Sequence, residues 1–196
     1  MMLALEMFRS VPRHVAAKAV GGRIPGILSG PVAPLRMVTI DEPRVNRPGW
    51  ARLRTSRSGI CGSDLGALSG RNSLYFSALV SMPLVPGHEA VAELVTECED
   101  LPAGTRVVID PILQCAARGV EPCTSCQAGL TNRCDRITVG HLKPGLQTGF
   151  CGDTGGGWGE QFAAHRSQLH PVPDELSDQR AVLIEAISCA VHTALR

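Results

Sequence analysis

The sequence lacks a long hydrophobic run and a secretion signal. Its apolar opening, residues 1–8, is short, is interrupted by Glu6, and has no basic region before it or small-residue cleavage site after it. A signal peptide or a membrane-spanning helix is therefore disfavoured in that segment. We interpret residues 1–8 as a first β-strand, and we expect a cytoplasmic protein with no membrane partner.

A surplus of positive charge is also missing. The chain has 19 Lys and Arg against 18 Asp and Glu, so it has little charge with which to hold a polyanion, and a nucleic-acid partner is disfavoured. No internal repeat or low-complexity tract is present. A hydrophobic fraction of 44% over 196 residues is ordinary for one globular module. These properties favour chemistry on a small molecule.

Cysteine, in contrast, is plentiful, with eight residues. Four of them fall within 20 residues, and no secretion signal precedes them. We therefore interpret this cluster as a metal site in a reducing compartment, with a disulfide pair or a redox-active C-x2-C as the alternative. The four are Cys115, Cys123, Cys126 and Cys134.

Short β-rich runs closed by Pro and Gly turns recur through the middle of the chain and predict a β-barrel or sandwich. The composition then changes, and Ser177 and Asp178 are placed to cap a helix over residues 179–195. That helix is apolar to the end of the sequence, so we expect a further segment after it. The predicted strands are residues 35–40, 51–55, 90–95, 106–109 and 161–165.

A second candidate metal site is divided between two motifs. Residues 60–64 read ICGSD and residues 86–89 read PGHE. Cys61 supplies a soft thiolate and His88 an imidazole, each with a carboxylate nearby, which is the ligand set of a catalytic zinc with an open coordination position. Each motif alone is weak evidence, since Cys61 could be a buried inert thiol and His88 a hydrogen-bonded core histidine.

Together the two motifs resemble those of the zinc-dependent medium-chain alcohol and polyol dehydrogenases, such as the threonine and sorbitol dehydrogenases. The resemblance implies a mainly β fold with a C-terminal helix, built as a partly open GroES-like barrel with a zinc-binding lobe. It also implies reversible NAD(P)-linked oxidation of an alcohol or polyol through a zinc-bound alkoxide, with Cys61 and His88 as zinc ligands. Ser63 matches the position that takes the proton from the alcohol.

The same resemblance gives roles to three acidic residues. Asp64 and Glu89 match positions beside the ligands, where a carboxylate orients the ligating histidine, and Glu89 could also approach the metal. Glu185 matches the third ligand of polyol-type members, and a lone carboxylate in an apolar run needs a cation nearby. Cys189, one helical turn later on the same face, is the competing ligand. A salt bridge from Glu185 to Arg180 is the simpler alternative.

The cysteine cluster departs from the family pattern at one position. Cys123, Cys126 and Cys134 match the last three cysteines of the structural-zinc lobe, C-x2-C-x2-C-x7-C, but Cys115 stands eight residues before Cys123. The longer loop costs only about 1 kcal/mol of closure entropy, against about 10 kcal/mol from a structural zinc. We therefore assign Cys115 as the fourth ligand of a second, closed zinc site, with Cys151 as the alternative.

A nucleotide-binding motif is missing. The glycine-rich run at residues 155–159 fails as G-x-G-x-x-G because Glu160 occupies the closing position and a strand-like run follows. We interpret it as a bend in the barrel with Trp158 packed against it. NAD or NADP would instead be bound by a domain absent from the sequence, and the full-length protein would be a homo-oligomer.

The resemblance divides the chain into three parts and places the substrate. Residues 1–34 are an N-terminal strand and extension, residues 35–176 the catalytic domain with its lobe at 114–136, and residues 177–196 a helix leading to the absent nucleotide-binding domain. Residues 65–81, with Tyr75 and Phe76, are expected to border the cleft for a small-molecule alcohol substrate.

Two other classes of function compete with a dehydrogenase. A zinc-ribbon interaction module explains the cysteine cluster but leaves the motifs around Cys61 and His88 without a role. A GroES-like structural protein explains the barrel but needs no metal. Bound zinc distinguishes them, because two ions favour the dehydrogenase, one the ribbon and none the structural protein.

Overall fold

The computed structural model describes residues 1–28, 30, 33–44, 46–72 and 78–195. Within these residues the chain forms a two-stranded sheet, a five-stranded sheet and several short helices. The elements in chain order are β1 (Met2–Met7), α1 (Val11–Val20), a 3-10 helix (Pro25–Leu28), β2 (Leu35–Ile40), β3 (Trp50–Ser58), α2 (Gly62–Leu68), β4 (Ala90–Leu94), β5 (Arg106–Ile109), α3 (Thr124–Gln127), a 3-10 helix (Thr131–Arg133), β6 (Gln161–His165), a 3-10 helix (Arg166–Gln168), β7 (Leu169–Pro171), α4 (Asp178–Ala181) and α5 (Ile184–Ala194).

The five-stranded sheet carries the main core. Its strand order is β6-β3-β4-β5-β7, and every neighbouring pair is antiparallel. Alternate residues of β3, such as Ala51 and Leu53, are fully buried and pack against apolar side chains of β4, β5 and β6. This sheet forms the curled half-barrel that the sequence predicts. The core side chains are Ala51, Leu53, Ala90, Ala92, Leu94, Cys98, Leu101, Val107, Ile109, Phe162, Ala164 and Leu169.

The N-terminal strand joins the rest of the molecule through two sets of contacts. β1 pairs with β2 along its whole length, from Met2 opposite Ile40 to Met7 opposite Leu35. Met7 also exchanges both backbone hydrogen bonds with Leu84, at 2.8 and 3.0 Å. β1 is therefore fixed against the segment that leads to residues 86–89.

The predicted strands are confirmed, and the predicted C-terminal helix is confirmed with a correction. Residues 179–195 do not form one helix, since α4 ends at Ala181 and α5 begins at Ile184. Between them the Leu183 N–H bonds the Arg180 carbonyl, three residues back rather than four. The tightened turn lets Ile184 pack with Ala181 against the sheet. Ser177 precedes the first helical residue, but its side chain makes no capping hydrogen bond.

Three α-helices have no counterpart in the sequence prediction, and the short α3 lies in the cysteine lobe. α1 follows β1, and α2 follows β3 and carries Ser63 and Asp64 of the first motif. Among the helices of the described residues, none is both long and apolar enough to span a membrane.

Candidate metal centres

The first site begins at the N-terminus of α2. Cys61 is the residue before the helix and has extended backbone angles. Asp64, one turn into α2, accepts a 3.0 Å hydrogen bond from the Cys61 N–H through Oδ2. A carboxylate three residues after the cap satisfies a backbone donor that the helix leaves free, so this contact fixes the direction in which the chain enters the helix. Cys61 itself is half-buried.

The second half of the site depends on a close backbone approach at Gly87. Its φ of +94° lies in the left-handed region, and a Cβ there would stand 2.6 Å from Trp158 Cδ1. Gly157 donates a 2.8 Å hydrogen bond to the Gly87 carbonyl, and Trp158 donates one of 3.0 Å to Pro86. The glycine-rich run thus supports the loop that presents His88. It leads into β6 and not into a helix, as the sequence predicts.

These two segments bring three candidate ligands together. The ligand atoms of Cys61, His88 and Glu89 all lie within 4.8 Å of one another. Ser63 Oγ lies 3.4 Å from His88 Nε2. One thiolate, one imidazole and one carboxylate match the three-ligand set of a zinc site that keeps a position open for another molecule.

His88 and Asp64 form a buried pair behind this site. His88 Nδ1 lies 3.7 Å from Asp64 Oδ1, and neither atom has another partner among the described residues. Burial raises the pKa of Asp64 above its usual value, while the neighbouring His88 acts in the opposite direction. With Nδ1 facing the carboxylate, the lone pair of Nε2 is free to ligate a metal. The His88 ring also packs on Phe150, with 5.8 Å between ring centroids.

Glu185 and Cys189 approach the same region but do not belong to the compact set. Glu185 lies in the first turn of α5 and is half-buried, and its Oε1 accepts a weak 3.6 Å hydrogen bond from the Cys189 thiol. Partial burial, then the charge of Glu185 and that of Cys61, raise the pKa of Cys189. α5 therefore runs close to Cys61, and the compact set holds Glu89 in place of Glu185.

The second site contains the four thiols selected from the sequence. All four sulfur atoms lie within 4.8 Å of one another, and Cys115 Sγ is 3.6 Å from Cys134 Sγ. Four sulfurs arranged tetrahedrally at the usual zinc–sulfur bond length would be about 3.8 Å apart. The cluster therefore has the dimensions of a closed zinc site, formed by Cys115, Cys123, Cys126 and Cys134.

Backbone hydrogen bonds already shape this cluster. The Cys123 N–H donates to Cys115 Sγ at 3.3 Å. Backbone N–H groups of Asp135 and Cys126 lower the pKa of the Cys123 thiol to about 7, whereas burial raises that of Cys126 to about 12. N–H groups aimed at a sulfur stabilise its thiolate form, which is the form that binds metal.

Cys151 and Cys98 lie outside both groups. Cys151 is fully buried, its thiol points at the Lys143 carbonyl, and burial raises its pKa. Cys98 donates a hydrogen bond to the Gly49 carbonyl at 3.3 Å. The structure thus places Cys115, and not Cys151, with the other three thiols. Tyr75 and Phe76, expected at the substrate cleft, lie outside the described residues.

The chain matches one known domain family over most of its length. Residues 47–174 match the model of the alcohol dehydrogenase GroES-like domain. The chain belongs to this family. The predicted resemblance is therefore confirmed, and so is the GroES-like fold.

Individual relatives are sugar, polyol and amino-acid dehydrogenases. The chain is 31% identical over 148 residues to D-altritol 5-dehydrogenase of Agrobacterium fabrum, covering 74% of this chain and 38% of that protein. It is 34% identical over 166 residues to L-threonine 3-dehydrogenase of Streptomyces avermitilis, covering 82% of this chain and 43% of the relative. The crystal structure of 2R,3R-butanediol dehydrogenase from Bacillus subtilis aligns with a TM-score of 0.67 and 22% identity, over 99% of this chain and 47% of that one.

These alignments also show how much of each relative the chain covers. It spans less than half the length of each of the three relatives. The similarity therefore concerns one domain of longer proteins.

Proposed function

We propose that the chain is the zinc-binding catalytic domain of an NAD(P)-dependent alcohol or polyol dehydrogenase. The observation that carries this proposal is the convergence of Cys61, His88 and Glu89 within 4.8 Å, beside the hydroxyl of Ser63. Relatives that share this domain bear the names of dehydrogenases acting on altritol and threonine. We keep the cytoplasmic location and the homo-oligomeric state of the full-length protein as predictions.

Zinc fits the donor set of the first site, and Cys61 and His88 are its proposed fixed ligands. For the third protein ligand we keep Glu185, as the family resemblance implies, with Cys189 as its competitor. The structure adds Glu89, which lies in the compact set with Cys61 and His88. A zinc ion bound there would polarise the oxygen of an alcohol and favour loss of its proton.

The surrounding residues perform the other parts of the reaction. Ser63, with its hydroxyl 3.4 Å from His88 Nε2, is placed to accept the proton of the alcohol while its own hydroxyl proton passes to solvent. Asp64 holds the proton of His88 on Nδ1 and thereby fixes the orientation of the ring. Phe150 packs on the same ring and limits the access of water from that side. NAD or NADP, which the family resemblance assigns to a domain outside these residues, would supply the hydride acceptor.

The four-thiol site has a different role. Its ligands leave no coordination position open, so a zinc ion there would stabilise the lobe at residues 114–136 without taking part in the reaction. This assignment gives two zinc ions per chain, and it separates the proposal from a zinc-ribbon module with one ion and from a structural protein with none.

Metal analysis and cobalt spectroscopy test the proposal. The purified chain should contain two zinc ions, and His88→Ala should contain one, whereas the exposed His170→Ala control should keep both. In the cobalt-substituted protein, added imidazole should change the visible spectrum of the open site, since only that site has a free position. A single ion that persists in His88→Ala, with no response to imidazole in the wild type, would instead identify a ribbon module.

A further inference from the structure

The most deeply buried charge in the lobe belongs to Arg118. Its side chain has 0% exposure, and it lies three residues after Cys115. The guanidinium donates to five backbone carbonyls at 2.6 to 3.4 Å, so all its hydrogen-bonding capacity is used. The acceptors are Leu113, Val139, Leu142, Lys143 and Gly145.

Hydrogen bonds do not neutralise this charge. Arginine stays protonated in proteins, and a buried cation is costly unless an opposite charge compensates it. No ion pair between the described residues includes Arg118. Asp153, a carboxylate whose charge acts on Arg118, is already paired with Lys143 at 3.0 Å.

The remaining acidic neighbours of Arg118 are thiols. The Arg118 N–H donates a 3.1 Å hydrogen bond to the Cys115 carbonyl, so both residues lie on one turn, and negative charge on Cys151, Cys134 or Cys115 would raise the pKa of Arg118. Burial keeps Cys151 in its neutral form by raising its pKa. Cys134 and Cys115 belong to the four-thiol site, and four thiolates around one Zn²⁺ carry a net charge of about −2.

We propose that Arg118 is the buried counter-charge of the four-thiolate zinc centre, so that zinc binding and burial of this guanidinium are coupled. The inference rests on the proposed function, because it needs zinc at that site. Arg118 also connects the lobe to the following loop, since its donors reach residues 139–145 and His141 Nδ1 returns a 2.8 Å hydrogen bond to the Arg118 carbonyl. Arg118 is thus a positioning residue for the lobe.

Zinc affinity in three variants tests this coupling. All are made in His88→Ala, which removes the open site, so that chelator competition reports the four-thiol site alone. Arg118→Met should weaken zinc binding by about 10- to 100-fold, as is typical when a residue supporting a metal site is lost. Arg118→Lys, which keeps the charge but not the five-donor fork, should bind zinc more tightly than the methionine variant.

The control is Arg133→Met, an exposed arginine beside Cys134, which should keep the parent affinity because solvent screens its charge. Equal weakening in Arg118→Lys and Arg118→Met would assign the effect to hydrogen bonding and overturn the counter-charge. Unchanged affinity in Arg118→Met, or equal weakening in Arg133→Met, would overturn it as well. If Arg118→Met fails to fold, the shift of the urea midpoint on adding zinc is compared between Arg118→Lys and the parent. A similar shift supports the counter-charge, and a much smaller shift in Arg118→Lys overturns it. Absence of zinc from the parent would refute the four-thiol site itself.

Discussion

Two carboxylates are candidates for the third ligand position at the proposed open zinc site. Glu89 lies in the compact set with Cys61 and His88, while Glu185 approaches from the first turn of α5. A Cβ on Gly59 would stand 2.2 Å from Glu89 Oε2, so the Glu89 carboxylate is packed tightly against backbone. The hydrogen bond that Glu185 accepts from the Cys189 thiol is long, at 3.6 Å, so a metal can replace it.

We therefore expect Glu185→Gln to weaken zinc binding at the open site more than Glu89→Gln does. Replacing a direct ligand removes a bond to the zinc. Replacing a neighbouring carboxylate changes only the orientation of the ligands and the electrostatic field at the metal. Zinc competition on both variants, made in Cys126→Ser if that protein folds, measures the difference. X-ray absorption of the same parent should show one sulfur ligand. A larger loss in Glu89→Gln would transfer the role to Glu89, and two sulfurs would transfer it to Cys189.

At the level of single residues, the sequence predicts the candidate thiol and histidine ligands. It does not predict the side chains that pack around them, such as Arg118 and Phe150. Cys61, His88 and the four clustered cysteines follow from spacing, because metal ligands need a defined chemistry at a defined separation. Arg118 gives no such signal, since a lone arginine in a loop is usually exposed. Phe150 is equally hidden, because its contact with His88 spans 62 positions of the chain.

At the level of elements, the support of the His88 loop by the glycine-rich run can be tested at one residue. Gly87→Ala should destabilise the protein by at least about 1 to 2 kcal/mol, the usual cost of a left-handed backbone for a residue with a Cβ. The overlap with Trp158 adds to this cost. Because His88 follows directly, the variant should also lose zinc from the open site. Urea unfolding and metal content measure the two effects.

Gly104→Ala is the matched control for that substitution. Gly104 has a similar φ of +86°, but no atom lies within 4 Å of the position that a Cβ would take, so only the cost of the backbone conformation applies. It should destabilise the protein less and leave both zinc ions in place. Equal effects of the two substitutions would mean that contact with Trp158 contributes nothing to the position of His88.

The lobe at residues 114–136 is the element most dependent on metal. It contains one turn of α-helix, Thr124–Gln127, and one of 3-10 helix, and the backbone hydrogen bonds within it join residues at most five positions apart. Cys126→Ser should therefore make the lobe the first site of proteolysis, since a structural zinc supplies the folding free energy of its own loop. Limited digestion with mass spectrometry locates the cut. An unchanged digestion pattern with unchanged zinc content would remove the structural-zinc assignment.

The elements show where prediction from sequence succeeds and where it stops. Strands such as Leu35–Ile40 and Gln161–His165 are recovered with the bounds that the sequence predicts. α2 is missed because Gly62 and Gly66 weaken the helical pattern, and its formation depends on Asp64 capping Cys61. The break between α4 and α5 is set by packing of Ala181 and Ile184 on the sheet, which local sequence does not encode.

At the level of the whole molecule, the proposed open zinc site lies outside the two clearest surface clefts of the described residues. Surface clefts of about 390 and 210 Å³ lie beside Asp41, Trp50 and Gly152, and neither is lined by the candidate ligands of the open site. A substrate pocket usually buries most of its ligand. We expect residues outside the described part of the chain to supply the remaining walls of a substrate pocket.

The purified 196-residue chain should therefore bind zinc but fail to reduce NAD or NADP with any alcohol. Over the described ranges, no strand, glycine-rich turn and helix combine to hold a dinucleotide, because the glycine-rich run at residues 155–159 leads into β6. Holding two reactants in near-attack geometry can lower a barrier by about 7 to 11 kcal/mol, and that contribution is missing without a bound nicotinamide. Absorbance at 340 nm, followed with and without alcohol, measures the rate, and a parallel His88→Ala preparation reveals any contaminating host dehydrogenase. Turnover in the wild type at an ordinary enzymatic rate, absent from His88→Ala, would show that cofactor binding lies within these residues.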